Sequence, residues 1–131
     1  MANVRIDAQG VPKGPIYEWT APALHRQVTA VDSADPTTKA QGIDAAGYRT
    51  ARFDIDTSQS VGLTALKVQL LVWNEAAGKY FRGAEKSFAA ADLSANPVPS
   101  VEAEVRGAAV FMKVVSATAT TLSLSVYASL S

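Results

Sequence analysis

The chain contains no cysteine and a single histidine, His25. That removes disulfides, Cys-ligated zinc, iron–sulfur clusters and thiol nucleophiles together, and it leaves transition metals without their usual donors. A charge excess of either sign is also lacking: 12 Lys and Arg face 12 Asp and Glu. A neutral chain lacks the field that holds a polyanion, so nucleic acid is not an expected partner. Neutrality also does little to keep copies apart, which suits a protein that sits in an assembly. No apolar run approaches the ~20 residues needed to cross a bilayer, so no membrane partner is expected. The start, Met1-Ala2-Asn3-Val4-Arg5-Ile6-Asp7, has no basic segment followed by a long apolar run. The expectation is therefore synthesis in the cytoplasm without a signal peptide.

Catalytic and cofactor motifs are missing as well. Gly78, Gly83 and Gly107 stand singly, and neither Gly-x-Gly-x-x-Gly nor a Lys-containing P-loop occurs, so no cofactor is expected. No Gly-x-Ser-x-Gly elbow accompanies His25. Asp54 and Asp56, and likewise Glu102 and Glu104, sit two apart on their strands. Such pairs suit acid–base chemistry or calcium, and Asp54 with Glu102 or Glu104 is the pair a glycosidase would need. Solvated outer faces account for them more simply, with Arg52 offsetting the aspartates. No catalytic or metal-ligating residue is assigned, and the chain is expected to bind, not to catalyse.

What is present is a pattern of strands. A chain of 131 residues that is 48% hydrophobic suits one domain with its own core. Within it, residues 1–46 are broken by Gly10, Pro12, Gly14, Pro15, Pro22 and Pro36. They read as an extended N-terminal arm carrying one strand at about 24–31. Such an arm either grips a neighbour, with Ile16, Tyr17, Trp19 and Leu24 as its contacts, or folds back over its own sandwich.

Residues 47–131 read as the sandwich core. Ala51, Phe53 and Ile55 alternate with Arg52, Asp54 and Asp56. Leu66, Val68, Leu70 and Val72 form an apolar face opposed by Lys67, Gln69, Leu71 and Trp73, so residues 70–73 are apolar on both sides. That marks a central strand covered on both faces. Residues 74–78 turn into a hairpin strand at 79–82. One helical turn follows near 89–93, then strands at 101–105, 110–115 and 121–130. Six or seven short strands with no helical period between them predict an all-β antiparallel β-sandwich, jelly-roll-like, with the arm in front. Trp73, Tyr80 and Phe81 are either core aromatics packed across the hairpin or a surface patch for stacking sugars.

One stretch runs Val72-Trp73-Asn74-Glu75-Ala76-Ala77-Gly78-Lys79-Tyr80-Phe81-Arg82-Gly83. A second runs Val101-Glu102-Ala103-Glu104-Val105-Arg106-Gly107-Ala108-Ala109-Val110-Phe111-Met112-Lys113-Val114. Together with the closing strand Val126-Tyr127-Ala128-Ser129-Leu130-Ser131, they resemble small β-sandwich virion proteins of tailed bacteriophages. These are the capsid decoration, or cement, proteins and related head or tail accessory proteins. The resemblance covers roughly residues 48–131 and implies a homo-oligomer, most often a trimer, on the capsid surface. There it would bridge subunits of the major capsid protein, with the arm as a clamp. The alternative is a carbohydrate- or receptor-binding sandwich using Trp73, Tyr80 and Phe81.

Overall fold

The computed structural model describes residues 24–131. Among them run seven strands: β1 (His25–Val28), β2 (Thr50–Asp56), β3 (Ala65–Asn74), β4 (Lys79–Ala89), β5 (Ser100–Glu104), β6 (Val110–Thr118) and β7 (Leu124–Leu130). One short helix, α1 (Ala90–Ala95), follows β4 and is started by the Asp92 carboxylate, which accepts the Ala89 N–H at 2.8 Å. The first sheet has the order β1-β7-β2-β5 and the second β4-β3-β6, with every pairing antiparallel. The chain is an all-β antiparallel sandwich, as its alternating pattern predicts.

Period-two alternation builds the core. Ala51, Phe53 and Ile55 of β2 point inward with Val126 and Ala128 of β7. Facing them from the second sheet are Leu66, Val68 and Leu70 of β3 and Val110, Met112 and Val114 of β6. Phe53, Ile55, Met112 and Leu124 are fully buried. Each such side chain contributes about 1.5–3 kcal/mol through burial.

The two-sided apolar end of β3 is covered on both faces, for a reason outside the sandwich proper. Leu71, Tyr80, Ala109 and Phe111, with Trp73 against them, form a second cluster on the outer face of the second sheet. Residues 31–43 lie over that face as a strap. Asp32 starts it, its N–H donating to the Val114 carbonyl at 2.9 Å. The Lys39 carbonyl accepts the Tyr80 hydroxyl at 2.8 Å midway. The strap ends where Ile43 exchanges two backbone hydrogen bonds with Val110, at 2.8 and 3.0 Å.

Residues 24–46, the described part of the segment read as an arm, pack on their own sandwich. Leu24, Val28, Ile43 and Ala45 all belong to the main core. A segment with only one short strand, such as residues 24–46, still has apolar side chains to bury and backbone donors to satisfy. Here it meets both needs on its own sandwich.

β4 is also longer than the hairpin strand expected at 79–82. Its eleven residues continue to Ala89 through a bulge, where Gly83 and Ala84 together oppose Leu70. The Gln69 amide donates to the Gly83 carbonyl at 2.8 Å, satisfying the bulged backbone. A Cβ at Gly83 would stand 2.8 Å from the Leu70 carbonyl oxygen, so the bulge needs glycine there.

Candidate interaction surface

The two long sides of the sandwich are finished differently. On the β1/β6 side, Arg26 points inward from β1 and its guanidinium donates to the Met112 carbonyl at 3.1 Å. It also pairs with the Asp32 carboxylate, and both side chains are almost wholly buried, 3% and 1% exposed. Asp32 accepts the Val114 N–H at 2.9 Å through its second oxygen. The Arg26 guanidinium lies 4.9 Å from the centre of the Phe111 ring. This seam is sealed by charge, backbone and aromatic ring together.

Among the described residues the β4/β5 side is open. β5 has five residues against eleven in β4, so the longer edge strand overhangs the shorter one. Between them lies a groove of about 330 Å³, lined by Val68, Leu70, Ala84 and Val101, with Lys86, Ser100 and Glu102 among its polar borders. Phe81 stands cross-strand from Val72, on the core-facing side of β4, but is 48% exposed. It lies beyond the cover of the first sheet, with the Lys79 ammonium 5.9 Å from its ring centre. Residues 82–87 are exposed on both faces.

Of the two readings of Trp73, Tyr80 and Phe81, packing across the hairpin holds for Trp73 and Tyr80, and the three do not form one patch. Tyr80 is buried and packs edge-on against half-buried Trp73, with ring centres 5.1 Å apart, beneath the strap. Phe81 points to the opposite face, as adjacent strand residues must. Leu24 is buried in the main core and so is not available to a neighbour. Ile16, Tyr17 and Trp19 lie outside the described residues.

The carboxylates weighed for chemistry stand on the outer face of the first sheet, which is uncovered among the described residues. Asp54 is held by Arg52 at 3.0 Å. Arg106, with Arg49, holds the Glu104 carboxyl below its ordinary range, at 3.2 and 3.3 Å. Glu102 is the cross-strand neighbour of Arg52, diagonal to Asp54. This is an open sheet face with arginine between the acids, whereas glycoside hydrolysis uses a facing pair over a bound sugar. On the same face His25 stacks on Tyr127, with ring centres 4.8 Å apart. Among the described residues no group of three or more His, Asp or Glu gathers to hold a metal, and no helix is long and apolar enough to cross a membrane.

A charged cluster joins the strap to the second sheet. Asp35, on the strap, accepts from Lys113 of β6 at 2.7 Å and from Arg82 of β4 at 2.8 Å. The Arg82 hydrogen bond, foremost, and Lys113 beside it hold the Asp35 carboxyl below its ordinary value against the opposing effect of burial. The cluster ties strap to edge strand across 47 residues of chain. Only its position in a polar turn run hinted at a role.

No known protein family, no curated protein and no solved structure matches the chain.

Proposed function

We propose that the chain is a structural protein of a bacteriophage virion, a capsid decoration protein that binds the major capsid protein lattice and stabilises the shell. In this reading it acts as a homo-oligomer, on the capsid surface, by binding and without catalysis. The observation that carries it is the asymmetry of the two sides. Among the described residues, one side is sealed by the strap and a buried ion pair, while the other leaves a long edge strand, an apolar groove and Phe81 uncovered. An exposed edge of this length is a template for another chain, and a soluble sandwich without a partner normally blunts it. Many modest contacts of this kind, repeated over a symmetric lattice, add through high local concentration.

The test is co-sedimentation of the purified chain with capsids of the phage whose genome carries its gene. Saturable binding at a fixed number of copies per shell, with a raised capsid disruption temperature, is the expected result. Capsids that pellet without the chain at saturating concentration sink the reading.

A second reading keeps sugar binding but moves it from Trp73, Tyr80 and Phe81 to the outer face of the first sheet. Tyr127, 42% exposed and backed by His25, stands between Gln27 and Ser125 on one side and Asp54 and Arg52 on the other. An aromatic ring among planar polar groups is what a sugar needs. A glycan array that stays blank for the wild-type chain removes it.

A further inference from the structure

We infer that β4 is a self-complementary edge: two copies of the chain join by pairing β4 antiparallel with β4, across a two-fold axis between Gly83 and Ala84. The pairing rests on the assembly reading above and supplies its homo-oligomer contact, yet it is tested on the free protein.

β4 closes one end of the order β4-β3-β6, and among the described residues no strand pairs with its outer edge. Its register with β3 fixes which way each side chain faces. Tyr80, Arg82, Glu85 and Ser87 stand opposite Trp73, Leu71, Gln69 and Lys67, on the strap side of the sheet. Lys79, Phe81, Lys86 and Phe88 stand opposite Asn74, Val72, Val68 and Leu66, on the core-facing side. The bulge at Gly83 and Ala84 shifts the alternation by one residue, so the order of faces is the same read outward from it in either direction. A two-fold axis perpendicular to the sheet keeps each face on its own side. Placed at the bulge, it sets every β4 residue opposite one of the same face.

That register also matches the chemistry. Arg82 falls opposite the partner's Glu85, and Glu85 opposite the partner's Arg82. On the core-facing side Phe81 meets the partner's Lys86, and Lys79 meets the partner's Phe88, each an ammonium beside an aromatic ring. Arg82 and Glu85 are exposed, and Arg82 holds Asp35 through Nε, which leaves the donors of its two terminal nitrogens for a second carboxylate. Lysines and a bulge ordinarily guard an edge against other chains. Here the bulge opposes only its own copy, where the residues are small, and the Gly83 carbonyl is already met by Gln69. A slip of two residues one way puts Lys79 opposite the partner's Lys86. A slip the other way leaves Arg82 and Glu85 opposite the partner's Ser87 and Ala84. The charges therefore select both the second copy and its register.

The absence of cysteine permits a clean cross-link. Phe81→Cys and Lys86→Cys are prepared as separate variants of the full chain, mixed, and oxidised gently. The expected product is a disulfide-linked dimer, about twice the 13.7 kDa of one chain, from the mixture and from neither variant alone. Like positions lie more than about 13 Å apart in this register, too far for a disulfide. A mixed yield no higher than that of the separate variants overturns the pairing. Charge reversal reads it independently. Glu85→Arg and Arg82→Glu each set like charges opposite one another twice, so each alone should dissociate about tenfold more readily than wild type in sedimentation. Their equimolar mixture restores both opposite-charge pairs and should associate as wild type does. A mixture that associates no better than its components counts against the pairing. Should Arg82→Glu unfold through the loss of Asp35, the cross-link alone decides. A mixed cross-link from a protein that ignores capsids would uphold the pairing and defeat the capsid reading. Capsid binding without the cross-link would do the reverse.

Discussion

Asp32 and Arg26 close one side of the sandwich from opposite sheets: Arg26 enters on β1, and Asp32 is fastened by backbone and side chain to Val114 of β6. Both groups are buried, and each neutralises the other's charge. Arg26→Met leaves the Asp32 carboxylate without its cation in a place water does not reach. Losing one partner of a buried pair costs about 3–5 kcal/mol, whereas replacing both with apolar groups is often close to neutral. Urea unfolding of Arg26→Met should therefore show a large loss, and Arg26→Met/Asp32→Leu a smaller loss than the sum of the singles. A single-variant loss under about 1 kcal/mol, the size seen for exposed pairs, would mean that the seam is solvated.

Asp35 makes acid stability depend on the strap. Its carboxyl titrates below the ordinary value of 3.8 because Arg82, and then Lys113, favour the charged form. A carboxyl depressed by folding adds stability above its unfolded pKa, and that stability is lost as the pH falls through the folded value. Asp35→Asn should thus be less stable than wild type at neutral pH. The two should converge as the pH drops from about 5 to below the folded pKa. A constant gap between their urea midpoints across that range would show that Asp35 contributes nothing through its charge.

The pattern of β2 and β3 was plain in the sequence because a buried face repeats every second residue, and nothing distant is needed to see it. β4 beyond Arg82 was not, since an overhanging edge strand is exposed on both faces and shows no alternation. The seam was hidden for a different reason. Asp32 meets Val114 across 82 residues of chain, and only the strand order brings them together. A shared reading of Tyr80 and Phe81, as core or as patch, overlooks that adjacent strand residues face opposite ways. Their separation was therefore available from period two alone. Which of the two would be covered was not, because the cover is the strap.

Gly42 and Tyr80 hold the middle of the strap against the outer sheet face. A Cβ on Gly42 would collide with the Tyr80 hydroxyl and lie 2.7 Å from the Val110 carbonyl oxygen. Overpacking of this kind costs about 1–3 kcal/mol. Tyr80→Phe loses the hydrogen bond to the Lys39 carbonyl, a net effect of about 0.5–1.5 kcal/mol. Thermal unfolding should rank Gly42→Ala below Tyr80→Phe. The double variant should cost less than the two singles added, since the hydroxyl is gone but the Val110 carbonyl remains. Simple additivity would mean that the two residues do not share the contact.

Phe81 and Tyr80 separate stability from binding most sharply, because they are neighbours in sequence with opposite surroundings. Phe81 is 48% exposed and touches little that folding needs, so Phe81→Ser should leave the urea midpoint near wild type, within about 0.5 kcal/mol. If the open side is where the capsid lattice or a second copy is met, the same change removes an exposed aromatic anchor. Truncating such an anchor commonly costs 2 kcal/mol or more, which weakens binding by about 30-fold. Tyr80→Ser should do the opposite, lowering stability through the lost packing with Trp73 while leaving affinity intact once the protein is folded. Capsid titrations with both variants, at a temperature where each is folded by circular dichroism, decide the matter. Equal affinity for Phe81→Ser and wild type would move the binding surface away from β4.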